Sequence, residues 1–185
     1  MSRAEPLAPR LVAIVGPSGV GKDSLIAGLA AADPRLRPIR RVITRPADGT
    51  EPFRSVTLAE FRDLVVADAL LLHWEAHGLR YGVPRAELDA LADGQTGLVN
   101  LSRGILNDAA ALASHLIVLS VTAPADVLAQ RLSRRGREPA ADIAARLARR
   151  RPNPPEGVTV VRIDNGGSLA EAVESAMAAL SDAVQ

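Results

Sequence analysis

"GPSGVGKD", residues 16–23, decides how this chain is read, because it holds the only lysine among 22 basic residues. A short apolar run, "LVAIV" (11–15), precedes it, and "KDSLIAGLAAAD" (22–33) follows with helical apolar spacing that stops before Pro34. Strand, glycine-rich turn and helix in that order satisfy the pattern G-x-x-x-x-G-K together with its structural context. Glycines permit positive φ and close approach, so the stretch Gly16, Pro17, Ser18, Gly19, Val20, Gly21, Lys22, Asp23 and Ser24 can wrap backbone N–H groups around phosphate oxygens. The helix N-terminus adds a partial positive charge. Lysine is a compact charge on a flexible stem that can bridge two phosphates, whereas a planar guanidinium is bulkier and prefers forked partners. That is a physical reason for one lysine in an arginine-using chain. We read the stretch as a nucleotide-binding loop.

Position 23 departs from the usual Ser or Thr, whose hydroxyl would hold Mg²⁺. Asp23 is a harder oxygen donor, able to coordinate Mg²⁺ directly or through water. An acid there also stabilises a helix start with no metal at all.

The bulk composition narrows the setting. At 185 residues the chain fits one domain, 1–185, with a loose tail over 1–9. Aromatics are only 2%, so the core is aliphatic. A net charge of +1 gives no global pull toward nucleic acid or membrane, and any anion site has to come from local clustering. Cysteine is absent, which removes disulfides and thiolate zinc sites. No apolar run approaches the roughly 20 residues that span a bilayer. These features predict a soluble, cytoplasmic protein with no nucleic-acid or membrane partner.

Strands are predicted at 11–15, 40–44, 69–76, 97–101, 115–121 and 157–163. Helices are predicted at 22–33, at 58–67 behind a Thr57/Glu60 capping box, between Pro84 and Gly94, between Pro124 and Gly136, at 140–151 and after Ser168. A further helical segment separates 97–101 from 115–121. This alternation predicts an α/β parallel sheet covered on both faces.

Arginines fall in two groups. Arg131, Arg134, Arg135 and Arg137 precede or follow Gly136, a candidate hinge, and are read as a lid closing over a triphosphate. Arg146 belongs to the same region, 131–151, while Arg149 to Arg151 read as a solvated face. Arg35, Arg37, Arg40, Arg41, Arg45 and Arg54 flank a substrate-binding region at about 35–95. Two basic groups around one phosphate loop suggest a substrate that is itself phosphorylated. His73 and His77 have helical metal-ligand spacing but stand on a strand and a loop, so no metal site is read there. Trp74 reads as core or pocket wall.

The order of motifs resembles the guanylate-kinase-like branch of the nucleoside monophosphate kinases. It rests on "GPSGVGK" (16–22), "ITR" (43–45), "GLRYG" (78–82), "RLSRRGRE" (131–138) and "IAARLARR" (143–150), across nearly the whole chain. Within that branch it is most similar to the ribose 1,5-bisphosphate phosphokinases, through "GKDS" (21–24), "WEAHGLRYGV" (74–83), "VNLSR" (99–103) and "RGRE" (135–138). It departs from guanylate kinases in placing Leu72 where, counting back from Tyr81, those enzymes carry a base-reading Glu. A leucine cannot supply that discrimination.

The resemblance implies a three-layer P-loop fold with a lid and a substrate-binding insertion. It also implies ATP and Mg²⁺ as cofactors, Mg²⁺ meeting Asp23. The expected reaction is phosphorylation of ribose 1,5-bisphosphate to 5-phospho-α-D-ribosyl 1-diphosphate, in phosphonate breakdown. Lys22, Arg131, Arg134, Arg137 and Arg146 are the expected catalytic residues. Arg41, Arg45, Glu75, His77, Tyr81, Asn100, Ser102 and Arg103 are expected to meet the sugar phosphate. The alternatives are a nucleoside monophosphate kinase, guanylate above all, and a guanylate-kinase-like interaction module without catalysis.

Overall fold

The computed structural model describes residues 10–47, 52–135 and 154–183. The apolar run before the glycine loop is the central strand β1 (Arg10–Val15) of a five-stranded parallel sheet. With β2 (Leu36–Pro38), β7 (Thr96–Asn100), β8 (His115–Thr122) and β9 (Thr159–Asp164), its order is β2-β7-β1-β8-β9. Every pairing within it is parallel. Buried parallel strands must be apolar on both sides, and β1 is. Val12 and Ile14 face one cluster with Leu25, Leu29, Leu119 and Ile163. Leu11, Ala13 and Val15 face another with Val99, Leu106 and Val118. The sheet is therefore covered on both faces, as the alternation of elements predicts.

Helix α1 (Lys22–Ala32) buries Leu25, Ile26 and Leu29 on one of these faces. It ends at Asp33, one residue before a proline that cannot continue it. Beside it lies the final helix, α6 (Leu169–Ala183), with buried Ala172, Ala176 and Leu180 one turn apart. The approach is close: a Cβ on Gly28 would stand 2.5 Å from Val173 Cγ2. Ser168 and Glu171 form the box expected at its start, Ser168 N donating to Glu171 Oε2 at 3.0 Å and Glu171 N to Ser168 Oγ at 3.3 Å. Hydrogen bonds from the Ser168 side chain and amide hold the Glu171 carboxyl below its usual range. That stabilisation is complete above the ordinary glutamate range and fades as pH falls through the lowered value.

The second sheet was not foreseen as a separate body. Its four strands run β4-β3-β6-β5, from β3 (Arg41–Ile43), β4 (Phe53–Ser55), β5 (Leu70–Ala76) and β6 (Leu79–Pro84). "GLRYG", outside the predicted strands, is mostly strand, because it forms a hairpin with the residues before it. The turn is two residues, His77 and Gly78, with φ of 54° and 70°, which suits a primed turn between twisted strands. Helix α2 (Leu58–Val66) covers one face through Phe61, behind the Thr57/Glu60 capping box that the sequence predicts. The helix after Pro84 is shorter than expected, α3 (Arg85–Asp89). A 3₁₀ turn (Arg103–Ile105) and α4 (Leu106–Leu112) lead into β8, and α5 is Ala125–Arg135. The predicted helix at 140–151 and the tail at 1–9 lie outside the described residues. Among the described residues no helix is long and apolar enough to cross a membrane.

Leu119, fully buried at the centre of β8, tests this packing. Leu119→Ala should lower unfolding free energy by about 2–5 kcal/mol, read from chemical denaturation.

Candidate active site

The glycine loop leaves β1 at Val15 and enters α1 at Lys22, at the carboxyl ends of the parallel strands where α/β sheets bind ligands. Gly19 and Gly21 hold φ of 79° and 90°, conformations that side-chain-bearing residues resist. The surroundings add a second demand. A Cβ on Gly16 would lie 2.6 Å from the Val121 carbonyl oxygen. One on Gly19 would lie 2.8 Å from Leu132 Cγ, and one on Gly21 2.6 Å from Asn165 Nδ2. The loop is gripped on three sides by β8, α5 and the turn after β9.

Lys22 Nζ donates to the carbonyls of Gly16 and Pro17, at 3.0 Å each, which curls the side chain back across the loop. The first backbone bond of α1 runs from Leu25 N to the Gly21 carbonyl at 3.0 Å. The amides of Lys22, Asp23 and Ser24 thus have no acceptor inside the helix. Amides, ammonium group and helix dipole together make a cradle for phosphate.

Asp23, on the first turn, connects this loop to the rest of the cleft. Asn100, buried at the end of β7, donates from Nδ2 to Asp23 Oδ1 at 3.0 Å. Arg41, at the start of β3 and only 10% exposed in its side chain, brings Nη2 to 3.8 Å from the same oxygen. Its guanidinium also lies over the Tyr81 ring, 5.8 Å from the centroid. Tyr81 in turn stacks on Trp74, with centroids 5.4 Å apart and planes 9° from parallel. Trp74 itself packs, partly buried, against the core cluster that holds Leu72 and Val83. Asp23, Asn100, Arg41 and Tyr81 are brought together from four different elements.

Other expected residues lie apart from that group. Arg45 sits over the Phe53 ring at 4.7 Å and lines a cavity of about 670 Å³ with Thr44, Thr57, Glu75 and Arg80. Glu75 Oε2 is 3.8 Å from Arg80 Nη2. His77 occupies the hairpin turn, its backbone set by that turn. Ser102 precedes the 3₁₀ turn that Arg103 opens. Leu72 is buried in the packing between the two sheets. His73 lies edge-on to Phe61, 6.5 Å between ring centroids.

Arg131 stands on α5 and donates from Nη1 to the carbonyl oxygens of Asn165, at 2.8 Å, and Val20, at 3.5 Å. This guanidinium is fastened to the loop's scaffold rather than presented from a separate flap. The side chain of Arg134, and the whole of Arg137 and Arg146, lie outside the described residues. Sequence reasoning missed Asn165, which is 4% exposed and donates to the Val20 carbonyl at 2.7 Å. The available signal was "DNGG" (164–167), a turn immediately after a strand on the loop's side of the sheet.

No protein-family model matches the chain. A ribose 1,5-bisphosphate phosphokinase PhnN of Ruegeria sp. (strain TM1040) is 54% identical over 171 residues, covering 91% of this chain and 90% of that protein. The chain belongs to the ribose 1,5-bisphosphate phosphokinase family. Another such phosphokinase, from Pseudomonas fluorescens (strain SBW25), is 43% identical across 94% of this chain and 96% of its own length. A bifunctional ribose 1,5-bisphosphokinase-thymidine phosphorylase of Azorhizobium caulinodans is 45% identical over 90% of this chain, which matches 25% of that longer protein. Among solved structures, a guanylate kinase from Anaplasma phagocytophilum superposes with TM-score 0.66 at 17% identity, covering 97% of this chain and 88% of that one. A gluconokinase from Sinorhizobium meliloti gives 0.55 at 22% identity, covering 95% and 94%. These likenesses establish an α/β P-loop-kinase-like fold for this phosphokinase-family chain.

Asn165 gives a test of how the loop is held. Asn165→Ala leaves the Val20 carbonyl short of a donor, and the variant should lose about 1–3 kcal/mol of stability. Gly21→Ala, strained in φ and blocked by Asn165, should lose measurable ATP binding in calorimetry while its far-UV spectrum stays native.

Proposed function

We propose that this protein transfers the γ-phosphoryl group of ATP to the 1-phosphate of ribose 1,5-bisphosphate, yielding 5-phospho-α-D-ribosyl 1-diphosphate and ADP. The observation that carries the reading is the 54% identity to a protein of that name over 171 residues, 91% of the chain. The guanylate kinase likeness concerns fold, and Leu72, buried with 4% exposure, offers no polar atom to a base. Its setting is the cytoplasm, in phosphonate breakdown.

The attacking atom is an oxygen of the anomeric phosphate. Its second pKa is about 6, so it is largely ionised at neutral pH and needs no general base. That oxygen forms a bond to the γ-phosphorus as the bond to the β,γ-bridging oxygen breaks, and ADP departs with the electron pair. Catalysis is then alignment of two polyanions and neutralisation of their charge. The loop amides and Lys22 hold the β- and γ-phosphates. Arg41 and Tyr81 receive a phosphate of the acceptor, with Arg45, Glu75, His77, Ser102 and Arg103 as further acceptor contacts. Arg131, Arg134, Arg137 and Arg146 supply positive charge on the nucleotide side.

Asp23 suits Mg²⁺ in its chemistry: a quarter-exposed carboxylate beside the loop, with Asn100 and Arg41 both on Oδ1. Mg²⁺ commonly takes one or two carboxylates and fills its remaining positions from phosphates and water. Accordingly, no group of three or more acidic or histidine ligands is needed, and none occurs among the described residues. When bound, the ion would neutralise charge on the β- and γ-phosphate oxygens. Asn100 orients the carboxylate for it.

Purified protein with Mg-ATP should convert ribose 1,5-bisphosphate and leave GMP essentially untouched, scored by phosphorus NMR of the products. Efficient GMP turnover with an inert sugar overturns the reading. Lys22→Ala should reduce kcat by at least about a hundredfold, the scale of losing one charge contact to the transferred group, with unchanged thermal unfolding. Asp23→Asn should raise the Mg²⁺ concentration needed for half-maximal rate.

A further inference from the structure

Of the six arginines flanking the substrate region, only Arg41 and Arg45 line the surfaces described above. Arg35 is tied to Asp33 by an ion pair at 2.7 Å. The other three, Arg37, Arg40 and Arg54, line one cavity of about 500 Å³. It lies where the chain crosses between the two sheets. One crossing follows β2, through Pro38, Ile39 and Arg40, and the other follows β6, at Pro84. The Arg40 amide donates to Glu87 Oε2 at 3.0 Å, stitching the two crossings together.

This cavity does not belong to the phosphate cleft. Side chains alternate along a strand, so Val42 points away from Arg41 and packs with Phe61 and Leu70 under α2. Val42 and Arg54 are register partners, which puts Arg54 on the same outer face. Arg41 and Tyr81 occupy the opposite face, toward Asp23.

The charge here is unbalanced. Three guanidiniums and the Glu87 carboxylate line it, and with Glu60 near enough to feel the Arg54 charge the surroundings still carry a positive excess. Nearby arginines elsewhere have found acids: Arg35 with Asp33, and Arg85 with Asp68 at 2.9 Å. Among the described residues no carboxylate stands within ion-pair distance of the guanidinium of Arg37, Arg40 or Arg54. Three like charges around one hollow repel each other, and an anion between them removes the repulsion. Guanidinium forks match phosphate oxygens in pairs. The floor is apolar, from Ile39, Val42, Pro84 and Leu91. A volume near 500 Å³ falls within the ordinary range for small ligands, about 300–1,000 Å³.

We propose that this groove at the junction of the two sheets is a second anion site, taking a phosphate monoester with a compact ring or carbon skeleton. A monoester carries about two negative charges at neutral pH, which matches the lining. Because the site spans both crossings, its occupant joins the base of the small sheet to the central sheet. It thereby restrains the angle at which Arg41 and Tyr81 meet the phosphate loop.

The test uses ribose 5-phosphate as probe and does not depend on turnover. Titration calorimetry compares Lys22→Ala with Lys22→Ala combined with Arg37→Gln, Arg40→Gln and Arg54→Gln. The three arginines are exposed, so the combined variant should unfold at the same temperature as Lys22→Ala. The Lys22→Ala protein should bind the probe, and the combined variant should bind it at least about tenfold more weakly, the loss expected when charge-assisted phosphate contacts go. Amide hydrogen exchange should show probe-dependent protection at 39–40 and 85–87 in Lys22→Ala alone. Equal affinity in the two proteins, protection confined to the cleft residues 41–45 and 79–82, or no binding to Lys22→Ala each overturns the proposal. Failure of the kinase assay with an intact second site, or the reverse, separates this proposal from the functional reading.

Discussion

The arrangement depends on a close approach of backbone to backbone at the phosphate loop. Gly16 lies against the Val121 carbonyl so tightly that a methyl group would overlap it at 2.6 Å. The loop is consequently drawn into the sheet's edge rather than lying on it. With β1 paired to both β7 and β8, the position of Gly16 is set by the central strand, buried from Leu11 to Val15. The turns at Gly19 and Gly21 are then closed by Leu132 and Asn165 from two further elements. A phosphate cradle must be rigid before the ligand arrives, or part of the binding free energy goes into ordering it. Here the central core supplies the rigidity.

From that fixed point the cleft is built outward through Asp23. The carboxylate accepts from Asn100 at 3.0 Å and faces Arg41 at 3.8 Å. The first distance is a hydrogen bond; the second is longer than one and purely electrostatic. Asn100 is therefore the firm partner, and it belongs to the same rigid sheet as the loop. Arg41 belongs to the small sheet, and its contacts include this longer-range attraction and the Tyr81 ring.

Much of this was legible in the sequence, for identifiable reasons. The loop and its flanking strand and helix announce themselves because glycine, lysine and apolar run lengths act locally. The capping boxes at Thr57/Glu60 and Ser168/Glu171 depend on spacing within four residues. By contrast, the small sheet depends on pairings such as Val42 with Gly82, forty residues apart, which no local period encodes. Its strands β3 and β4 are three residues long, too short for a period of two to stand out. Asn165 was hidden for the same reason: its partner Val20 is 145 positions away. Arg131 was noticed for its charge and placed with a flap, while the structure turns it onto main-chain carbonyls. Charge can be counted in a sequence; the direction in which it points cannot.

The weak tie between Arg41 and Asp23 has a consequence for charge in the cleft. A buried guanidinium with no anion nearby is costly, and the carboxylate relieves that cost without forming a forked pair. A phosphate dianion offers more charge and a geometry that guanidinium can grip twice. In the proposed reaction a phosphate of the acceptor would therefore compete with the carboxylate for Arg41, while Asn100 still holds Asp23. A carboxylate so released would stay on Asn100, on the side facing the loop where a cation accompanying a polyphosphate would lie. In the proposed reaction one short network would thus link acceptor phosphate on the small sheet to nucleotide on the loop through Asp23.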